Sequence, residues 1–411
     1  MSLTNDTKSG NISITNERKT RMKGLEEMNV YLNAASTTQP VQEVIDDINF
    51  YLKQNWANPS DISQDGVHVK GDISYARNQI AKAIGASGNE IFFVSGGSEA
   101  NNWAIKGILD RYSDIDAIIT TEMEHPSVYN TCKYIESKGY KVYYVPIDSF
   151  GCVKTYELER TIINNRIKKP LVSIMFANNE IGSINDIKKI SEITHKYNGI
   201  LHTDAVQAFM HTRIDVKELG VDLMSTSGHK IGCPKGIGFL YKRKDLEISP
   251  LIHGGKQEMN MRGGTENVPY ICAMGNQVER LTEDLEVYLS RAVDVHNYII
   301  QQIYERCNYE VYLNGHPKKR IANNLSFTFK GINAEQLITL LDIRSFNISA
   351  GSACSSGSPT PSRILKSIGL SDKDAFSTIR ISFDFYTTKE MVDEFIDALI
   401  ECMESLQIFV D

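Results

Sequence analysis

Between Asn89 and about Tyr241 the chain alternates short apolar runs with longer amphipathic stretches, and this alternation limits the fold more than any other feature. The runs fall at 91–94, 117–120, 141–145, 171–176, 200–203, 221–224 and 238–241. Each is rich in β-branched residues and too short for a helix, whereas the stretches between them suit helices. About seven strands joined by helical crossovers predict an α/β fold with a mostly parallel sheet covered on both faces. Hydrophobic residues make up 41 % of the chain and charged residues 23 %, ordinary globular usage that excludes collagen-like, coiled-coil and wholly disordered architectures. The 44 Lys and Arg against 51 Asp and Glu leave a formal charge of −7, the wrong sign for a nucleic-acid or anionic-membrane footprint. No run approaches the roughly 18 apolar residues that span a bilayer.

After Pro250 the pattern changes. A helical stretch from about Tyr270 to Cys307 precedes candidate strands at 310–313 and 324–329, a helix at 334–342 and a strand at 378–385. A last helix begins near Thr387, where Thr387 and Glu390 have capping-box spacing. With 411 residues and about 150 per domain, two or three units are expected, and the C-terminal part reads as a smaller α+β domain. The first 28 residues are polar, without the apolar core of a secretory signal, and predict a mobile or loosely docked tail. Seven cysteines, at 132, 152, 233, 272, 307, 354 and 402, are scattered and never form CxxC. Neither a disulfide framework nor a zinc site is indicated, which suits a reducing cytosol.

In open α/β sheets ligands bind beyond the carboxyl ends of the strands, and these ends are unusually polar here. Run 91–94 is followed by Ser95, Gly96, Gly97 and Ser98 and then a helix expected from Glu99, either a phosphate seat or only a tight strand-to-helix turn. Glu124, His125 and Pro126 follow 117–120, and Asn178, Asn179 and Glu180 follow 171–176. Asp204, with Gln207 one turn on, ends 200–203 and could cap a helix or face a cationic ring nitrogen. Ser227, Gly228, His229 and Lys230 follow 221–224. Most lysines are solvated surface groups, but one desolvated among small residues could become a Schiff-base nucleophile. An anion seat, a His, an Asn, an Asp with Gln and a Lys together are what a pyridoxal phosphate site requires. Cys354 lies in the small-residue stretch 349–361, which reads as a flexible loop, so its thiol is the accessible one; the other six cysteines read as small buried hydrophobes.

Several motifs resemble those of the cysteine desulfurases of the NifS and IscS type, fold-type I pyridoxal phosphate enzymes akin to class V aminotransferases. They are SGGSEANN (95–102), EHPSV (124–128), NNEIG (178–182), DAVQ (204–207), SGHKIGCPKGIG (227–238), RGGTENV (262–268), the small-residue run around Cys354 and STIRIS (377–382). The similarity runs from about Tyr31 to the last helix. The loop between Cys354 and Arg380 resembles the longer version of the NifS and IscS group rather than the shorter SufS one.

The resemblance implies a polar tail at 1–28, a large cofactor domain at 29–275 whose first segment joins the small domain, and a small domain at 276–411 carrying Cys354. It implies that Lys230 holds pyridoxal 5'-phosphate and moves the Cα proton, while His125 stacks on the ring and assists proton transfer. Asp204 would pair with the pyridinium nitrogen, and Gln207 and Asn179 would bind around the phenolic oxygen and the substrate. Gly97, Ser98, Ser227 and His229 would hold the phosphate, and Thr265 would reach the phosphate of the neighbouring subunit in a homodimer with a shared site. Arg380 would clamp the carboxylate of L-cysteine. Cys354 would take the substrate sulfur as a persulfide, releasing alanine, and pass it to an acceptor such as an iron–sulfur scaffold or a thiolation protein. A cytoplasmic enzyme without metal follows.

Three segments depart from the family pattern. The usual YLDNAATTP reads YLNAASTTQP at 31–40, the usual NPSSxH reads NPSDIS at 58–63, and Phe383, Asp384 and Phe385 stand where Ser-Leu-Gly is favoured, which would set bulk near the carboxylate clamp. Selenocysteine lyase, another class V lyase or aminotransferase, and a non-catalytic sulfur-relay scaffold are the alternative readings.

Overall fold

The computed structural model describes residues 30–350 and 360–407. Thus the tail at 1–28 and Cys354 lie outside the described residues. The strands are, in chain order, β1 (Val30–Tyr31), β2 (Ile91–Val94), β3 (Ala117–Thr120), β4 (Val142–Tyr144), β5 (Pro170–Ser173), β6 (Ile200–Asp204), β7 (Leu223–Ser225) and β8 (Gly238–Lys242). They continue with β9 (Val311–Asn314), β10 (Asn324–Phe329), β11 (Phe346–Asn347), β12 (Ser349–Ala350) and β13 (Thr378–Ser382).

The seven predicted strands form one sheet in the order β2-β8-β7-β6-β5-β3-β4. Its interior strands are apolar on both sides because helices cover both faces: Leu171, Val172 and Leu201 are fully buried. β8 runs antiparallel to both β7 and β2. The connection from β7 to β8 contains no crossover helix, only a short turn at Gly228–Lys230, so the chain folds back rather than crossing over. Two antiparallel steps restore the direction of β2, and its carboxyl end therefore lies at the same sheet edge as those of β3, β5, β6 and β7. That shared edge brings the polar segments together.

A second sheet, β12-β13-β10-β9, is antiparallel throughout. It has its own core around Leu325, Phe327, Phe329, Ile379, Phe395 and Leu399, which Val30 and Leu32 join from the N-terminal segment. β1 pairs with β11, and Asn33 bridges to Ser382. The N-terminal segment thus lies against the small sheet before the chain enters the large one.

Several expected boundaries move. The predicted continuous helix from 270 to 307 is two helices, Val268–Glu283 and Leu285–Arg306, broken at Asp284. Residue 275 lies inside the first of these, whose Ile271, Cys272, Met274 and Val278 all pack in the large core; Leu285, at the start of the second, still packs there, and Tyr288 packs against the second core. The helix expected from Glu99 starts at Gly97. The strand expected to run to Phe385 ends at Ser382, and the last helix is Lys389–Gln407. Thr388, not Thr387, caps it by accepting from Met391 N, because the Thr387 hydroxyl is taken by Asp384. No helix of the described residues is long and apolar enough to cross a membrane.

Candidate active site

At the shared edge the large sheet, the small sheet and the N-terminal segment enclose a cavity of about 1140 Å³. Gly97, Ser98, His125, Asn179, Asp204, Gln207, Ser227, His229, Lys230 and Arg380 all line it. Thr265, expected to serve a neighbouring subunit, is exposed and outside this cavity.

Lys230 sits in the turn between β7 and β8, only 8 % exposed. Its amine donates to the carbonyls of Ala35, at 2.7 Å, and Ser36. Burial lowers its pKa to about 7, with Arg380 and Lys235 acting the same way and Asp204 opposing. Near neutrality a large fraction of this amine is therefore unprotonated, as a nucleophile toward an aldehyde must be. Asp204 ends β6 and is buried. Its Oδ1 accepts from Val206 N at 3.0 Å in a tight turn rather than a helix cap, and its Oδ2 accepts from Asn101 at 2.7 Å. Gln207 donates to Ala35 O at 2.9 Å. His125 is the N-cap of helix Pro126–Ser137, and its ring also lines the cavity.

Helix Gly97–Arg111 opens on the cavity. Gly96 has φ +150°, which side-chain-bearing residues rarely adopt, and a Cβ on Gly97 would stand 2.6 Å from Val206 Cγ2. Free backbone N–H groups at this helix start suit an anion. Ser227 lies beside this helix start, and His229 also lines the cavity, its pKa lowered to about 4 by burial and by Lys230 beside it.

On the opposite wall Arg380, 4 % exposed, projects from β13. Its Nη1 donates to Asn179 O at 3.0 Å and its Nη2 to Asn33 Oδ1 at 2.9 Å. Nε has no hydrogen-bond partner, nor does Asn179 Oδ1. Of five guanidinium N–H groups three remain for a ligand, and no carboxylate among the described residues forms an ion pair with this arginine. The departure at 31–40 thus falls within the site: Asn33 holds Arg380 through a neutral amide, and the Ala35 and Ser36 carbonyls hold Lys230. The bulk expected near the clamp from Phe383–Phe385 is absent, since none of the three lines the cavity. With β13 ended, Phe383 enters the small core, Asp384 accepts from Tyr386 N, and Phe385 stacks on His211, 5.6 Å away.

Residue patterns alone missed several lining groups. Glu180, raised to about 7 by burial against the lowering pull of Ser362, Arg380 and Arg363, accepts from the Ser362 hydroxyl at 2.5 Å. Arg363 lies over the Tyr129 ring at 3.9 Å and donates to Glu124 O. Glu124 is fully buried, its pKa raised to about 8 chiefly by burial. Glu180 and Asn101 stood inside recognisable motifs without a role; Arg363 carried no signal. Cys132, Cys233, Cys272, Cys307 and Cys402 are buried free thiols, as expected, and Cys152 is half-buried.

A desolvated lysine, a carboxylate at the end of the adjacent strand, a helix start with room for an anion, and an arginine with spare donors fit one cofactor in position and in chemistry. Fold and site define a fold-type I pyridoxal phosphate enzyme. The class-V aminotransferase family description matches residues 30–395. A curated cysteine desulfurase IscS from Dictyoglomus turgidum is 41 % identical over 379 residues, 92 % of this chain and 95 % of that one. A solved NifS-like protein superposes with a TM-score of 0.85 at 33 % identity, over 92 % of this chain and 100 % of that one. SspA in complex with cysteine gives 0.74 at 33 % identity, over 87 % of this chain and 100 % of that one. The chain belongs to the cysteine desulfurases of the class-V aminotransferase family.

Proposed function

We propose that this enzyme converts L-cysteine to L-alanine and transfers the sulfur to Cys354. The observation that carries this reading is the placement of Lys230 and Arg380 on facing walls of one cavity, one amine for the cofactor and one cation for an amino acid carboxylate. Pyridoxal phosphate, when bound, supplies an electron sink for the bonds at the substrate Cα. Lys230 would hold it and then move the Cα proton; Asp204 would pair with its ring nitrogen, and His125 would stack on the ring. Gln207 and Asn179 would bind around its phenolic oxygen, Asn179 also binding the substrate. Gly97, Ser98, Ser227 and His229 would hold its phosphate, joined by Thr265 from a second copy. Arg380 orients the substrate through a charge-assisted fork.

The sulfur step balances without an external oxidant. The Cys354 thiolate attacks the substrate sulfur, the C–S bond breaks toward the carbon, a proton completes alanine, and Cys354 keeps both sulfur atoms as a persulfide. An acceptor protein, an iron–sulfur scaffold or a thiolation protein, then takes the terminal sulfur. A homodimer is supported by exposed Ile45, Phe50, Leu52, Trp56, Ile62 and Val67 within 23 residues of chain, more apolar surface than a free helix and loop ordinarily carry; a site shared between the copies would follow from Thr265 reaching the partner's phosphate. Free thiols throughout the described residues support a cytoplasmic setting.

The test is a visible spectrum of the holoenzyme before and after L-cysteine, with alanine and protein-bound sulfur measured in the same sample. A spectral change with alanine formed in step with persulfide, and no alanine from Cys354→Ala despite retained cofactor, is the expected result. Alanine formation undiminished in Cys354→Ala would overturn the assignment.

A further inference from the structure

Two residues of the cavity wall without a part in the proposed reaction, Asn101 and Ser127, join Asp204 to His125 in a polar chain. Asn101 on helix Gly97–Arg111 is 1 % exposed, and its side-chain nitrogen donates to Asp204 Oδ2 at 2.7 Å and to Ser127 Oγ at 2.8 Å. The amide can take only this orientation, since a carboxylate accepts and an amide oxygen would repel it. Ser127 Oγ in turn lies 2.8 Å from His125 Nδ1, and the Ser127 backbone N–H points at the same ring nitrogen from 3.2 Å. A hydroxyl can rotate, but a backbone N–H held in a helix's first turn cannot. Nδ1 therefore presents its lone pair, and the proton of the neutral ring resides on Nε2. Nε2 has no hydrogen-bond partner among the described residues, and the ring faces the cavity.

We propose that Ser127, backed by Asn101 and Asp204, is a positioning residue that holds His125 as the neutral Nε2–H tautomer, so the ring offers the cavity a hydrogen-bond donor and no base. Both protons of the Asn101 amide are committed, and the Ser127 hydroxyl, already accepting, has its own proton free for Nδ1. The chain is polarised in one direction from Asp204 to the ring. The charged and titratable groups around the imidazole agree: burial pushes its pKa down, Lys230 and Arg363 act the same way, and Asp204 opposes them; His229 is a further cationic-capable neighbour. For the reaction, which rests on the desulfurase reading above, His125 would donate a hydrogen bond from Nε2 to substrate or product without transferring the proton, and Lys230 would carry the proton transfers.

Nitrogen NMR of 15N-histidine-labelled holoenzyme tests this directly, the His125 signals being assigned by their loss in His125→Gln. The expected spectrum shows Nδ1 as an acceptor and Nε2 protonated across the neutral range, in wild type and in Ser127→Thr. In Ser127→Ala the ring stays protonated at Nε2, held by the backbone N–H, but the Nδ1 signal moves toward that of a free acceptor as the hydroxyl's hydrogen bond is lost. A wild-type ring protonated at Nδ1 or divided between tautomers, or a Ser127→Ala spectrum unchanged from wild type, would overturn the proposal. The readout needs no turnover, so it succeeds or fails separately from cysteine desulfuration.

Discussion

At the residue scale the site depends on where water is excluded. Lys230 has its pKa lowered to about 7, burial outweighing the pull of Asp204, because an ammonium loses hydration there that two carbonyl oxygens replace only in part. Trapping of pyridoxal phosphate on the apoenzyme by borohydride, followed by peptide mapping, should therefore show labelling of position 230 with a midpoint near pH 7, well below an ordinary lysine. Arg380→Ala removes a positive neighbour and should move that midpoint upward. Arg380 itself contributes through geometry. A lysine there keeps the charge but loses the fork, at a cost of about 1.5–3 kcal/mol for a charge-assisted bond. Steady-state kinetics of Arg380→Lys should show kcat/KM for cysteine reduced roughly 10- to 150-fold. Lys230 and Asp204 stood out as candidates because each sits in a motif at or just after a strand end, whereas Arg380, in the middle of β13, stood out only through the resemblance of STIRIS to a family motif. The carbonyls of Ala35 and Ser36 did not, since any residue could supply them.

At the element scale, both flanks of the segment that carries Cys354 are tied to the site. On one side Ser349 in β12 pairs opposite Arg380 in β13. On the other, Ser362 caps the short helix Arg363–Ser367 by accepting from Ile364 N and Leu365 N while donating to Glu180. Ser362→Ala removes both the cap and the tie, and should lower unfolding stability by about 1 kcal/mol. Amide exchange should quicken in 363–367 while the β5–β6 core stays protected; unchanged exchange there would count against the tie. Strand positions were readable because a run buried on both faces is continuously apolar. Helix ends were less so: Thr387 and Glu390 have the spacing of a cap, but Asp384 claims the Thr387 hydroxyl, and only the fold places that aspartate within reach.

At the scale of the whole molecule, burial of carboxyl groups sets the pH response. Glu124 is raised to about 8 and Glu180 to about 7, so the folded state holds protons that the unfolded chain releases near 4.5. Their stabilising contribution is complete below that value and is lost as pH rises through about 7 to 8. Urea unfolding of the apoenzyme should show stability falling over this interval, and Glu124→Gln should flatten the fall. The exposed apolar residues around Trp56 belong to the same scale. Sedimentation should give a dimer, and Trp56→Glu with Ile62→Glu should shift it toward monomer with the cores intact. The sequence by itself determined the strand runs, their α/β class and the identity of the reactive groups, because apolar periodicity and strand-end polarity are local properties. Tertiary structure alone decided that two antiparallel steps turn β2 to the shared edge, that β13 carries Arg380 across to face Lys230, and that Asn101 joins Asp204 to His125. Asn101 and Asp204 are 103 positions apart and β2 pairs with β8 over a still longer span, and pairing over such distances depends on how sheets and cores close around one another.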